Sequence, residues 1–111
     1  MVAALRREDR EPGQVAVSSG GVSVDPGTHR AAADGQTLDL SLHEFDLLHL
    51  LLRNPGRAFG RSYLLETIWE QEAVGGDRSV DNVVMRLRKK LGAHAHRLET
   101  VWGLGYRWSE D

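Results

Sequence analysis

The segment Ser79–Leu91, SVDNVVMRLRKKL, carries the clearest structural signal in this chain. At 100° per residue its aliphatic side chains fall within about 60° of one another and form a narrow stripe, which comprises Val80, Val84, Leu87 and Leu91. The opposite side comprises Asn82, Met85, Arg86 and Lys89, with Arg88 and Lys90 on its flanks and Arg78 as a possible extension. The pattern predicts a helix with Ser79 as N-cap, one face packed on a core and one basic face outside.

The basic face differs from that of an ordinary solvated helix. Solvated helices usually place acidic and basic residues at i,i+4 spacing, where they attract each other. No acidic residue occurs between Arg86 and Lys90, and Met85 stands among the basic residues, where a partner surface would favour it. A helix face of this kind suits contact with a polyanion such as DNA.

Length and composition indicate a single domain. A chain of 111 residues with 41% hydrophobic content can fill one core. No apolar run approaches the roughly 20 residues of a membrane span, and the N-terminus lacks a signal-peptide core. The chain has no cysteine, which excludes a disulfide framework and fits a reducing compartment. We therefore expect a cytoplasmic protein without membrane association.

The basic residues are unevenly distributed, although the formal net charge is −2. Residues 1–46 contain four basic and eight acidic side chains. Residues 47–77 contain three basic and four acidic side chains. Residues 78–111 contain seven basic and four acidic side chains. A positive surface confined to one part of a domain steers an anionic ligand to that part.

Residues 1–13 read as a flexible arm or the remnant of an interdomain linker, because they are polar and lack periodicity. The domain is expected over residues 14–111. Short β-rich pieces begin at Gln14 and end at Leu40, separated by turn signals such as Asp25-Pro26-Gly27 and Asp34-Gly35. This alternation predicts a four-stranded antiparallel meander.

The helices and the final strands have their own signals. Ser41 and Glu44 form a capping box that opens the first helix, and Asn54-Pro55-Gly56 ends it. An extended link at 57–59 and a second helix over 60–70 follow. Beyond the basic helix, residues 92–97 are expected to be loose, and strands at 98–101 and 106–108 form a hairpin around the tip 102–105.

Three helices with a basic third member, followed by a hairpin, describe a winged helix-turn-helix. The stretches LSLHEFDLL, NPGRAFGRSYLLETIW, DRSVDNVVMRLRKKL and LETVWGLGYRW resemble the effector domains of OmpR/PhoB-type response regulators. The resemblance implies an α+β winged helix-turn-helix with an N-terminal four-stranded antiparallel sheet, a three-helix core and a C-terminal β-hairpin wing. It also implies sequence-specific binding of double-stranded promoter DNA, which controls transcription in a two-component system.

The resemblance further implies partners and site residues. Expected partners are tandem direct repeats bound one protomer per half-site, RNA polymerase, and an upstream receiver domain that this chain lacks; off DNA we expect a monomer. Third-helix contacts to DNA would be Arg78, Ser79, Asn82, Val83, Met85, Arg86, Arg88 and Lys89. Contacts to the DNA backbone and through the wing would be Arg61, Trp69, Thr100, Trp102 and Tyr106. The polymerase-contact loop would be Glu70, Gln71, Glu72, Ala73, Val74, Gly75 and Gly76.

One residue departs from the family pattern. Trp102 stands at the wing tip, where many relatives have an arginine that enters the minor groove. Whether the wing reads the minor groove is therefore left open. The alternatives are that Trp102 packs against the hairpin or lies along a sugar of the DNA.

Other functions find less support in the sequence. His94 and His96 have strand-chelate spacing but lack a third ligand nearby, and His43 and His49 are expected to face solvent, so we predict no metal site and no cofactor. No nucleophile motif or phosphate-binding glycine loop is present, so we predict no enzyme. Two alternatives stay open: a winged-helix protein-interaction module, and the DNA-binding domain of a regulator that lacks a receiver domain.

Overall fold

A computed structural model describes residues 15–69 and 77–109, and for residues 77–79 it describes the backbone alone. The elements in chain order are β1 Val17–Ser19, β2 Val22–Asp25, β3 Arg30–Ala33, β4 Gln36–Leu38, α1 Leu42–Arg53, β5 Ala58–Gly60, α2 Arg61–Leu64 with a π-helical turn Leu65–Trp69, α3 Asp77–Leu91, a 3-10 segment Gly92–Arg97, β6 Leu98–Val101 and β7 Gly105–Trp108. Among the helices in these two ranges, none has the length and apolarity to cross a membrane.

Within residues 15–40 the expected antiparallel meander is confirmed, with strand order β1-β2-β3-β4. β1 begins at Val17, three residues later than the sequence pattern suggested. Asp34 and Gly35 connect β3 and β4 with φ angles of +53° and +85°. Positive φ at both central residues is the requirement of a type I′ hairpin turn, which Asp-Gly satisfies.

Helix α1 begins where the capping box predicts. The Glu44 N–H donates to Ser41 Oγ at 3.3 Å, and the Ser41 N–H donates to Glu44 Oε1 at 3.0 Å. Asn54 follows the last helical residue and donates from Nδ2 to the Leu50 carbonyl oxygen at 2.9 Å. Both ends of α1 are thus determined by local hydrogen bonds.

The extended link predicted at 57–59 proves to be a strand. β5 pairs antiparallel with β7, so the wing sheet in residues 58–108 has the order β5-β7-β6. Gly105 on β7 allows this pairing, because a Cβ at that position would overlap the Phe59 carbonyl oxygen. The second helix starts after Gly60 as predicted, but beyond Leu64 it widens into the π-helical turn.

Helix α3 is three residues longer than predicted, since an N-cap at Ser79 would make Val80 its first residue. It begins at Asp77, so Ser79 lies inside the helix and the prediction of Ser79 as N-cap is wrong. Gly92, with φ +58°, ends α3. The stretch 92–97, expected to be loose, forms a 3-10 segment that leads directly into β6.

One hydrophobic core joins these elements. The predicted stripe of α3 is confirmed, since Val80, Val84, Leu87 and Leu91 are all buried. The stripe packs with the buried leucines of α1, and Trp108 of β7 is completely buried. Burial of one face of α3 fixes its opposite face toward the outside.

Candidate nucleic-acid interface

The outer face of α3 is exposed as predicted. Asn82, Met85, Arg86 and Lys89 are all exposed and lie opposite the buried stripe. Within the described part of the chain, neither Arg86 nor Lys89 makes a hydrogen bond or an ion pair. Their charges are therefore available to a ligand without breaking an internal contact.

Val83 does not belong to this face. Its side chain is 5% exposed and is part of the hydrophobic core. Val83 follows Val80 by three residues and so lies about 60° from it around the helix, next to the buried stripe. The structure therefore places Val83 in the core and not among the exposed side chains of α3, and its expected contact with base edges stays a prediction.

Arg88 connects α3 to the wing. Its Nε and Nη2 donate to the Leu98 carbonyl oxygen at 3.0 and 2.6 Å, and Nη2 also donates to Thr100 Oγ1 at 2.9 Å. The guanidinium carbon lies 5.7 Å from the centre of the Tyr106 ring. Arg88 and Thr100 were expected to contact DNA, and the structure shows that they also contact each other within the protein. Their contacts fix the wing beside α3.

Asp81 forms a second connection, between α2, α3 and β7. Its Oδ1 accepts from Arg61 Nε at 2.9 Å and from the Tyr106 hydroxyl at 2.5 Å. Burial raises the pKa of Asp81, but the hydrogen bonds from Tyr106 and Arg61 outweigh burial and hold that pKa below its ordinary value. Burial, then the hydrogen bond that its hydroxyl donates to Asp81, and then the Asp81 charge raise the pKa of Tyr106. Asp81 is therefore a charged acceptor that holds both partners in place.

Two aromatic residues expected at the DNA backbone are buried instead. Tyr106 is 5% exposed, and its hydroxyl is already engaged by Asp81. Trp69 is also buried, with its ring centre 4.6 Å from that of His43. These rings complete the core beneath the exposed face, and their direct contact with the DNA backbone stays a prediction. His43 is half-buried against Trp69.

His49 was expected to face solvent and is buried in α1. Burial, and then the nearby Arg53 charge, lower the pKa of His49. Its Nε2 has no hydrogen-bond partner among the described residues. The prediction of solvent exposure is wrong because the leucines on both sides of His49 in α1 are also buried.

The wing tip presents a tryptophan to solvent. Trp102 is 88% exposed, so the alternative in which it packs against the hairpin is wrong. The Leu104 N–H donates to the Val101 carbonyl oxygen at 2.9 Å and closes the turn. The Leu104 carbonyl oxygen accepts from the Arg61 N–H at 3.2 Å and anchors the tip to the start of α2.

Lys90, on the flank of the basic face, is engaged by the protein itself. Its Nζ lies 2.7 Å from Glu44 Oε1, and the Glu44 side chain is 2% exposed. Burial opposes ionisation of Glu44, but hydrogen bonds from Lys90 and the Ser41 backbone outweigh it and lower the pKa. The ion pair joins residues 46 positions apart, and no local sequence pattern could have revealed it.

Several predicted site residues lie outside what the structure describes. The side chains of Arg78 and Ser79 belong to this group, as does the whole expected polymerase-contact loop, Glu70 to Gly76. Among the described residues, no group of three or more His, Cys, Asp or Glu side chains is placed to hold a metal ion. His94 instead pairs with Asp34, with Nε2 and Oδ2 2.9 Å apart.

Comparison with known proteins agrees with this geometry. The family described as "Transcriptional regulatory protein, C terminal" matches residues 35–108. The transcriptional regulatory protein SrrA of Staphylococcus aureus is 40% identical over 91 residues, which cover 78% of this chain and 38% of SrrA. The chain thus spans little more than a third of this relative.

Solved structures show the same fold. The RstA DNA-binding domain of Klebsiella pneumoniae, in complex with the RstA box, has a TM-score of 0.76 and 32% identity, covering 86% of this chain and 98% of that one. The OmpR/PhoB homolog DrrB of Thermotoga maritima has a TM-score of 0.74 and 31% identity, and the match covers 85% of this chain and 44% of DrrB. The chain therefore belongs to the family of C-terminal domains of transcriptional regulatory proteins and is a winged-helix DNA-binding effector domain of the OmpR/PhoB type.

Proposed function

We propose that this domain binds specific sites in double-stranded DNA through the exposed face of α3, with the wing beside it, and thereby controls transcription. The observation that carries the proposal is the pair of exposed cations Arg86 and Lys89, which no described residue engages, on a helix seated by its other face in the core. A helix presented in this way fits the major groove. The RstA domain, which shares the fold, was solved with its DNA box.

The four side chains Asn82, Met85, Arg86 and Lys89 on the exposed face of α3 each have a suitable task at DNA. Arg86 can form two parallel hydrogen bonds to a guanine, and such a pair discriminates against a wrong base by about 1–3 kcal/mol. Asn82 matches adenine, and the apolar side chain of Met85 suits a thymine methyl group. Lys89 supplies a charge for phosphate.

Arg61 has a different role at the edge of this surface. Its Nε is held by Asp81, and its side chain remains partly exposed. A guanidinium carries five N–H donors, so the others stay available for a phosphate oxygen. Phosphate contacts position the protein but carry no base sequence. Arg61 therefore contributes affinity on every duplex.

The wider setting of the domain is part of the proposal. Because the chain spans 38% of SrrA, we infer that a receiver domain precedes it in the full-length protein, which acts in the cytoplasm. Protomers would occupy tandem direct repeats about one helical turn apart. The segment 70–76 would contact RNA polymerase, and the acidic residues Glu70 and Glu72 suit a basic partner surface.

Selection of bound duplexes from a random pool tests the proposal. The chain is expected to enrich one motif, and Arg86→Ala is expected to relax preference at a single base position of that motif. Arg61→Ala should weaken binding to all duplexes alike. Arg53→Ala is the matched control, because Arg53 is an exposed arginine at the end of α1 and lies on neither α3 nor the wing.

Three outcomes would contradict the proposal in different ways. Failure to enrich any motif would refute sequence-specific binding. An unchanged motif with Arg86→Ala would refute base reading by Arg86. Equal loss of affinity with Arg53→Ala and Arg86→Ala would show that binding depends on overall charge and not on α3.

A further inference from the structure

Trp102 differs from the other tryptophans of the chain. It is 88% exposed, whereas Trp69 and Trp108 are buried. A tryptophan ring buries about 150–250 Å² when it finds a partner. Single exposed apolar residues are common on monomeric proteins, so exposure alone does not identify a contact. Two further features of the wing tip support a contact between Trp102 and a ligand.

The first feature is that the backbone holding Trp102 is fixed. The hydrogen bond from the Leu104 N–H to the Val101 carbonyl oxygen closes a turn with Trp102 at its first corner. Gly103, at the second corner, has φ +83°, which suits glycine. The tip is also anchored to Arg61 through the Leu104 carbonyl oxygen. A ring presented on such a turn loses little backbone freedom when it binds.

The second feature is continuity with the DNA-binding face. Arg88 on α3 donates to Leu98 and Thr100 on β6, the strand that leads into the tip. The orientation of the wing relative to the exposed face of α3 is thus set before any ligand arrives. When a helix occupies the major groove, an element held beside it can reach the adjacent minor groove.

Resting on the proposed function, we propose that Trp102 is an apolar wedge that enters the minor groove beside the α3 site and partly separates one pair of stacked bases. The indole ring is neutral and has a single N–H donor, so it gains little from phosphates and much from contact with base faces. Apolar wedges of this kind bend the duplex by about 20–90°. Pyrimidine–purine steps unstack most easily, so the wedge adds a preference for a TA or CA step at a position that α3 does not contact.

Acrylamide quenching of tryptophan fluorescence tests the contact directly. The chain contains three tryptophans, and Trp102 alone among them is accessible to the quencher. The probe is a duplex with one copy of the motif recovered by selection, so that a single protomer binds. The accessible fraction of the fluorescence is expected to disappear on this duplex. If the accessible fraction persists on this duplex, Trp102 does not act as a wedge. If it disappears only on a duplex with two copies of the motif, Trp102 contacts a second protomer and the proposal is also refuted.

Substitution separates the wedge from the remaining interface. Trp102→Ala is expected to weaken binding roughly ten- to a hundredfold, as for the loss of one aromatic–base stack. Trp102→Phe should retain most of the affinity. Leu42→Ala, which removes another exposed apolar side chain but on α1, should leave the Kd unchanged. All three variants should unfold at the wild-type temperature, because each changes an exposed residue.

Salt dependence and bending identify the kind of contact. Because the indole is uncharged, Trp102→Ala should shift the plot of log K against log salt without changing its slope. The end-to-end distance of a doubly labelled duplex should show that this variant bends the DNA less than the wild type does. Replacing a TA step of the duplex by AA should weaken DNA binding by the wild type but not by Trp102→Ala. A Kd for Trp102→Ala within twofold of the wild type, with Arg86→Ala still impaired, would overturn the wedge and leave the proposed function intact. Absence of wild-type binding to every duplex would overturn both.

Discussion

Replacing Lys90 with alanine is expected to destabilise the fold far more than removal of a surface lysine usually does. Lys90 Nζ lies 2.7 Å from Glu44 Oε1, and the Glu44 side chain is 2% exposed. Alanine at position 90 leaves that buried carboxylate with Ser41 as its remaining partner in the part of the chain that the structure describes. Removing one member of a buried ion pair costs about 3–5 kcal/mol. We expect less here, about 2–3 kcal/mol, since Lys90 is 38% exposed and the Ser41 hydrogen bond persists.

Thermal and denaturant unfolding measure this loss. For a domain of this size each kcal/mol moves the Tm by about 4 °C, so Lys90→Ala should lower the Tm by about 8–12 °C. Lys89→Ala is the matched control, because Lys89 is the adjacent lysine of α3, is exposed and has no partner among the described residues. Its expected effect is within about 0.5 kcal/mol. Equal stability of the two variants would refute a structural role for the Glu44–Lys90 pair.

The dependence on pH provides a second check of the same pair. The pKa of Glu44 in the folded protein lies below its ordinary value of 4.5. The pair therefore stabilises the fold above that pH, and its contribution is lost as the pH falls through the lower folded pKa. The difference in stability between the wild type and Lys90→Ala should be largest at neutral pH and should close once the pH lies below the lowered pKa of Glu44 in the folded protein. A difference that persists in acid would indicate lost packing instead of a lost charge pair.

Two further predictions concern the wing. Gly105→Ala should destabilise the fold by about 3 kcal/mol in chemical unfolding, because a Cβ there would overlap the Phe59 carbonyl oxygen. Gly60→Ala, at the paired position of β5, should cost less than about 1 kcal/mol, and equal losses would contradict the steric explanation. Asp81→Asn should lower the pKa of Tyr106 toward its ordinary value, since the carboxylate charge is one cause that raises it. Ultraviolet titration of the phenol measures this, and an unchanged pKa would contradict the contribution from Asp81.

The order of elements could be predicted because its signals are local. The capping box of Ser41 and Glu44 and the Asp34-Gly35 turn each act within a few residues. The stripe of α3 is periodic along one helix, and its burial was predicted correctly. Local hydrogen bonds and periodicity are the information that a single sequence carries most directly.

Contacts between distant segments could not be predicted in this way. Val83 and Trp69 are buried by the packing of several elements together, which the periodicity of one helix does not report. The acceptors of Arg88 lie on a strand that starts seven residues beyond α3. Strand β5 is three residues long, too short to show an alternating pattern. The sequence therefore indicated the exposed basic face but not the internal contacts that hold it beside the wing.

The salt dependence of DNA binding tests the central claim most directly. On the duplex recovered by selection, log K should fall with log salt at a slope of about −4 to −6, as expected for five to seven neutralised phosphates. Lys89→Ala should reduce the slope by about one, because its charge is assigned to phosphate, whereas Arg53→Ala should leave the slope unchanged. A wild-type slope near about −1, or an equal reduction with Arg53→Ala and Lys89→Ala, would contradict binding through the exposed face of α3.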